Sequence, residues 1–230
     1  MNTGAGRDPA EGLVRTIRAR GVRDPRVLEA FRRVRREGFV PPELAGLAYR
    51  DEPIPIPHGQ VTSQPSLIAQ MVAALRLTGS ERVLEVGTGY GYQTAILAAL
   101  AREAFSIERF ADLAERARSN LERAGIEGVT VLVGDGTLGL PEHAPYDGVV
   151  VSAAAPKVPG PLARQLAEGG RIVHPLGSGG AEVVIAFRKK GDRLVEQERL
   201  TPASFVRLIG AHGLPEPGAS DRGPLSSGPT

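Results

Sequence analysis

Residues 83–100, VLEVGTGYGYQTAILAAL, constrain this chain more than any other segment. An apolar run ending in Glu85-Val86 passes into Gly87-Thr88-Gly89-Tyr90-Gly91, and a helix-forming stretch begins at once. Glycines let a backbone turn sharply and approach another group with no Cβ in the way. A strand that ends in such a turn and feeds a helix belongs in an open α/β sheet, where ligands sit beyond the carboxyl ends of the strands.

The rest of the sequence keeps that rhythm. Pro65 to Leu75 reads as an amphipathic helix, Arg82 to Val86 as a short buried strand and Tyr92 to Ala101 as an alanine-rich helix. Ala104 to Ile107, Val129 to Val133, Asp147 to Ser152 and Arg171 to His174 follow as strands, with helices over Ala111 to Ala124 and Leu162 to Ala167. Val149, Val150 and Val151 form the β-branched run of a central parallel strand. Val183 to Arg188 and Leu194 to Leu200 read as a late antiparallel pair around Lys190-Gly191-Asp192. Strands separated by helical crossovers imply a doubly wound, largely parallel sheet. Upstream, Ala10 to Arg20 and Pro25 to Arg36 read as helices, the second with Asp24 as N-cap and proline at its first position. Prolines at 41, 42, 53, 55 and 57 then forbid helix interior. Ile54 and Ile56 among them suggest an ordered strap packed on the domain. The expected organisation is N-terminal helices and strap over 1–64, an α/β domain over 65–210 forming one compact unit with it, and a disordered tail over 211–230.

The 230 residues suit a single α/β domain. No apolar run is long enough to span a membrane, and the N-terminus lacks the apolar core of a secretory signal. Without cysteine there is no thiolate nucleophile, disulfide or thiolate metal site. A cytoplasmic setting is the simplest expectation. The net charge is only +2. The arginines from Arg15 to Arg36 alternate with Val27, Leu28, Phe31 and Val34, so a solvated helix face is expected there rather than a nucleic-acid surface. His58, His143, His174 and His212 lack metal-ligand spacing, and no metal site is expected; His58 belongs to the strap.

The glycine loop alone is weak evidence of a ligand. Glu108, at the end of the next strand and about 20 residues after the glycines, can bind both hydroxyls of a ribose. Asp135, in Gly134-Asp135-Gly136 after the third strand, can accept from an adenine amine. Singly these are a surface acid and a turn residue; together, at the ends of consecutive strands, they point to a nucleoside site. Glu85 just before the glycines would repel a pyrophosphate, yet suits the ammonium and sulfonium of S-adenosylmethionine. NAD is the runner-up.

HGQVTSQPSLIAQM (58–71), the E-V-G-T-G-Y-G-Y-Q loop and the downstream G-D-G, A-P-Y-D and A-A-P segments (134–177) resemble the protein-L-isoaspartate(D-aspartate) O-methyltransferase family over roughly residues 12–210. The resemblance implies the class I methyltransferase (Rossmann-like) fold: a doubly wound, mostly parallel seven-stranded sheet with N-terminal helices and an exchanged order of the last two strands. It implies transfer of methyl from S-adenosyl-L-methionine, without metal, to the α-carboxyl of L-isoaspartyl and D-aspartyl residues. The ester then cyclises to succinimide, which starts repair, and S-adenosyl-L-homocysteine is left. Carried over, it makes Ser63 the active-site serine, with Gln60, Val61 and Thr62 lining the cleft. Glu85, Gly87, Thr88 and Gly89 surround the methionine part, Glu108 takes the ribose, and Asp135 and Gly136 border the adenine. The expected partners are isoaspartyl proteins or peptides, with no nucleic acid or membrane, and the enzyme is expected to be a monomer.

The chain departs from the family pattern in places. Val61-Thr62 replace Thr-Ile before the serine; Thr137 and Leu140 replace tryptophans, thinning an aromatic wall; Arg207 replaces the proline of Phe-Val-Pro-Leu, and solvent is its expected surrounding. These departures motivate an alternative, an aspartate O-methyltransferase acting on a dedicated peptide in natural-product maturation. An NAD-dependent oxidoreductase is the alternative of another class, and a noncatalytic nucleoside-binding protein a third. Ser63 could also be the N-cap of the helix that Pro65 begins. A substrate carboxylate is already ionised at neutral pH, with a pKa of about 4, so no general base is needed. A serine hydroxyl that orients one oxygen is sufficient machinery.

Overall fold

The computed structural model describes residues 8–178 and 182–216. α1 (Pro9–Ala19) starts where Asp8 accepts the Ala10 N–H, and buries Leu13, Val14 and Ile17. α2 (Pro25–Arg33) is capped by Asp24, which accepts the Arg26 and Val27 N–H groups, and buries Val27, Leu28 and Phe31. It ends three residues earlier than the apolar spacing predicts. Val34 turns extended and a 3-10 turn over Arg36–Phe39 follows, which aims Arg36 inward. Arg36 is completely buried, contrary to the expected solvated arginine face. Arg26 departs from it too, donating to the carbonyls of Leu77 and Leu100. Arg32 pairs with Glu11 and Glu29, and Arg35 with Asp8 and Glu37, at the surface.

The strap is ordered, and it contains a hairpin that its prolines concealed. β1 (Ile54–Ile56) pairs antiparallel with β2 (Gln60–Thr62), Ile54 facing Thr62 and Ile56 facing Gln60. Pro55 is tolerated because a strand edge does not need its missing N–H. Ile54 and Ile56 point inward as expected.

The α/β part follows as read, with shifts of a few residues at most ends: α3 (Pro65–Leu75), β3 (Arg82–Val86), α4 (Tyr92–Ala98), β4 (Glu103–Glu108), α5 (Ala111–Arg123), β5 (Val129–Val133), β6 (Tyr146–Val151), α6 (Gly160–Gln165), β7 (Leu166–Leu176), β8 (Val183–Lys190) and β9 (Arg193–Arg199). β7 begins five residues before the expected strand and cuts α6 short. The pairing register with β6 shifts between Tyr146 and Gly148, and Gly169 takes φ 78° there, so Gly169-Gly170 form a bulge within the strand.

The seven strands lie in the order β5-β4-β3-β6-β7-β8-β9. The first five are parallel, and β8 runs antiparallel to both neighbours. This is the exchanged order of the last strands. Alternation along the strands feeds two cores. Val83, Val150 and Val173 pack with α1 to α4, while Leu84, Val86, Val149 and Val151 pack on the opposite face with Leu140 and Leu162. Each fully buried aliphatic side chain contributes about 1.5–3 kcal/mol. Between β3 and β6 the winding direction reverses, which opens a crevice at the strand ends.

Residues 211–216, expected within the tail, are placed: Ile209 bridges Leu214, and the Ala211 N–H donates to Asp135. The rest of that tail, 217–230, lies outside the described residues. Among the described residues no helix is long and apolar enough to cross a membrane.

Candidate active site

The crevice holds a cavity of about 320 Å³ lined by the glycine loop, the β2 strand and its following turn, and the 202–209 segment. At its floor β3 ends in the glycine loop. Gly87, Gly89 and Gly91 have φ of 94°, 54° and 89°, which side chains with a Cβ rarely adopt. All three glycine N–H groups are used inside the protein. Gly87 donates to the Ile107 carbonyl, Gly91 to the Thr88 carbonyl and Gly89 to Glu108 Oε2, each at 2.9 Å.

Glu85 lines the cavity but has no exposed surface. Its carboxylate accepts from Gln93 Nε2 at 2.9 Å, Thr94 Oγ1 at 2.5 Å and Ser106 Oγ at 2.6 Å. Because the Ser106 proton goes to Glu85, Thr88 donates in turn to Ser106, at 2.6 Å. Burial pushes the Glu85 carboxyl up to about 7, against the three hydrogen bonds, with Glu108 adding to the rise. Glu108, at the end of β4, accepts from Gly89 and from Phe110 N–H and lines the cavity, with acceptor capacity to spare.

Ser63, Gln60, Val61 and Thr62 all line the same cavity. The N-cap role open to Ser63 is not what the structure shows: Gln64 is the N-cap of α3 and caps nothing with its own side chain. Asp51 of the strap does that work, taking the Ser66 N–H at 2.8 Å together with the Ser66 hydroxyl and the Gln64 amide. The Ser63 hydroxyl thus has no partner among the described residues, and the cavity is its open side. Val61 is 40% exposed, one of few large apolar side chains so displayed.

Gly136 lines the cavity, and a Cβ there would lie 2.4 Å from Val86 Cγ1. Asp135 is not brought into the cavity. Its carboxylate turns to the N–H and hydroxyl of Thr137 and to the N–H of Ala211. Those donors hold its carboxyl below the ordinary value, although burial opposes them. Thr137 and Leu140 are buried and are not among the residues that line the cavity. Arg207 is exposed, as expected, and also lines the cleft.

His58 belongs to the strap as expected. At the hairpin turn, with φ 61°, its ring stacks on Phe110 at 4.3 Å and its Nε2 meets Asp112 at 2.8 Å. Among the described residues no group of three acids or histidines is placed to hold a metal. Sequence reading missed Gln93, Ser152, Tyr92 and Arg109, all of which line the cavity. Ser152 had a signal, standing at the carboxyl end of the strand beside β3, where the winding reverses. Gln93 had a weaker one, in the first turn of the helix after the glycines.

The family model for protein-L-isoaspartate(D-aspartate) O-methyltransferase matches residues 8–213. A protein-L-isoaspartate O-methyltransferase of Methanoculleus marisnigri is 50% identical over 197 residues, covering 86% of this chain and 89% of its own. One from Marinobacter nauticus is 51% identical, covering 85% and 90%. A solved protein-L-isoaspartate O-methyltransferase superposes with a TM-score of 0.78 at 31% identity, over 89% of this chain and 67% of the other.

Proposed function

The chain belongs to the protein-L-isoaspartate(D-aspartate) O-methyltransferase family, and from that premise we propose that the cavity over the glycine loop holds the methyl donor while Ser63 orients the substrate carboxylate. The activity is S-adenosyl-L-methionine-dependent methylation of isoaspartyl residues in proteins. Neither the dedicated-peptide alternative nor the NAD-dependent oxidoreductase is supported by the relatives.

One observation carries the assignment of the pocket. The three glycine N–H groups of the loop are already used inside the protein, and two carboxylates, Glu85 and Glu108, border it. A pyrophosphate needs free backbone N–H groups and suffers from nearby acids. A cationic nucleoside without phosphate needs neither, so the residues present fit S-adenosyl-L-methionine. Glu108 would take the ribose hydroxyls, and Gly87, Thr88 and Gly89 would adjoin the methionine part. Glu85, enclosed by its three donors, would act on the ammonium group through its charge. Gly136 would border the base together with Ile107. Asp135 would contribute by fixing the turn that presents Gly136.

When bound, S-adenosyl-L-methionine supplies a methyl group on a sulfonium. The protein needs no general base, because the substrate carboxylate is ionised at neutral pH. Its work is to fix one carboxylate oxygen and to exclude water, and holding reactants in one geometry lowers a barrier substantially. Ser63, whose hydroxyl has no partner among the described residues, donates to that carboxylate. Thr62 lines the same cavity but is nearly buried, so Ser63 is the more accessible of the two hydroxyls. An open cleft rimmed by Val61 and Arg207 suits a protein chain as substrate; a monomer working in the cytoplasm is the simplest setting for that reading.

Hydrogen bonds to charged groups contribute about 1.5–3 kcal/mol. Ser63→Ala is therefore expected to slow turnover on an isoaspartyl peptide by roughly one to two decades. Calorimetry should find S-adenosyl-L-homocysteine bound as before. Unchanged turnover would remove Ser63 from the mechanism.

A further inference from the structure

Arg36 is the only arginine or lysine among the described residues that is buried, and no carboxylate pairs with it. Its guanidinium is instead surrounded by backbone carbonyls. Nη1 donates to Ala48 and Arg50, both at 3.0 Å, and Nη2 to Glu52 at 3.2 Å and Ser63 at 3.0 Å, with Thr62 at 3.5 Å. The guanidinium carbon also lies 5.6 Å from the centre of the Tyr92 ring, the first residue of α4 after the glycine loop. One planar cation thus joins three parts: the strap at 48–52, the turn carrying Ser63, and the helix that begins at the cofactor loop.

A buried cation is not an economical way to stabilise a core. Desolvation costs several kcal/mol, and apolar side chains of similar volume often serve as well. Arginine offers something else, a rigid fork whose N–H groups point in set directions. The strap is irregular and proline-broken, so several of its carbonyls lack a ladder partner, and buried carbonyls must be satisfied. A fork anchored on Tyr92 satisfies them while fixing where the backbone at 62–63 stands relative to the glycine loop.

We propose that Arg36 is a positioning residue for methyl transfer: through the carbonyls of Thr62 and Ser63 and the face of Tyr92, it sets the place of the Ser63 hydroxyl against the cofactor loop. It touches neither substrate nor donor. The proposal rests on Ser63 orienting the substrate, and the test separates the two. Ser63→Ala alone examines Ser63; the double-mutant cycle with Arg36→Lys examines Arg36.

Lysine keeps the charge but cannot reproduce the planar fork. Arg36→Lys is expected to lower kcat on an isoaspartyl peptide about tenfold or more, while S-adenosyl-L-homocysteine affinity stays within about threefold. In the Ser63→Ala background the same change should cost less than about twofold, since residues acting as a unit are not additive. Hydrogen exchange should rise at residues 48–66 and stay unchanged in β3 and β4, and Arg36→Gln should give the same pattern. Turnover of Arg36→Lys within twofold of the parent would overturn the proposal, as would an equal penalty in both backgrounds. So would loosening of strap and sheet alike in both variants, up to failure to fold, which would make Arg36 a core residue only.

Discussion

The two acids of the cleft are held in opposite ways. Glu108 accepts backbone N–H groups at the cavity wall, whereas Glu85 is enclosed by three side-chain donors. Burial, opposed by those donors, raises the Glu85 carboxyl from an ordinary 4.5 to about 7. A carboxyl raised in the folded state holds its proton longer there than in the unfolded chain. The stability attributable to it is intact below about pH 4.5 and is lost as pH rises toward 7. Glu85→Gln does not titrate, so the stability of this variant relative to the parent should improve from pH 5 to pH 8. The change should be on the order of 3 kcal/mol at most. Thermal midpoints measured for both proteins across that range check it, and a flat difference would show that Glu85 titrates as an ordinary carboxyl. The acid itself was legible in the sequence. Its partners were not, because Gln93, Thr94 and Ser106 reach it from a following helix and a neighbouring strand.

Elements fix the cleft by close backbone approach. The turn after β5 brings Gly136 against Val86, and a Cβ there would stand 2.4 Å from Cγ1. Gly136→Ala must displace the turn or β3, costing roughly 1–3 kcal/mol of stability. It should also weaken S-adenosyl-L-homocysteine binding about tenfold, by the displacement of cleft residues. A normal calorimetric affinity would show that the turn does not shape the pocket. The β1–β2 hairpin closes the other side, with Ile56 Cδ1 placed 3.4 Å from where a Gly89 Cβ would be. Its turn is held by His58 on Phe110 and Asp112. His58→Ala removes a stack and an exposed, solvent-screened pair. Cofactor affinity should fall by about two- to fivefold, with hydrogen exchange rising at residues 54–62. Exchange unchanged there would show that the turn holds without His58. Strands and helices of the sheet were legible because period and glycine punctuation agree. The hairpin was not, since three prolines argue against a strand and only edge placement excuses them.

Across the whole molecule, the reversal of winding between β3 and β6 gathers the glycine loop, Glu108, Gly136 and Ser152 at one edge of the sheet. The first three of those features were visible as strand ends in the sequence. The 202–209 segment, by contrast, reaches the site only by tertiary return, Ala154 exchanging hydrogen bonds with Val206 and Leu208. The docking of Ala211 on Asp135 was hidden for the same reason. A chain ending at Ile209 should therefore melt a few degrees below one ending at Glu216, and equal midpoints would show that the docking of Ala211 on Asp135 adds nothing to stability. The account as a whole is tested most directly by transfer of labelled methyl from S-adenosyl-L-methionine to a matched pair of peptides, one isoaspartyl and one aspartyl. It predicts base-labile label on the isoaspartyl peptide alone, reduced by Ser63→Ala. Equal label on both peptides, or none on the isoaspartyl one, would contradict it.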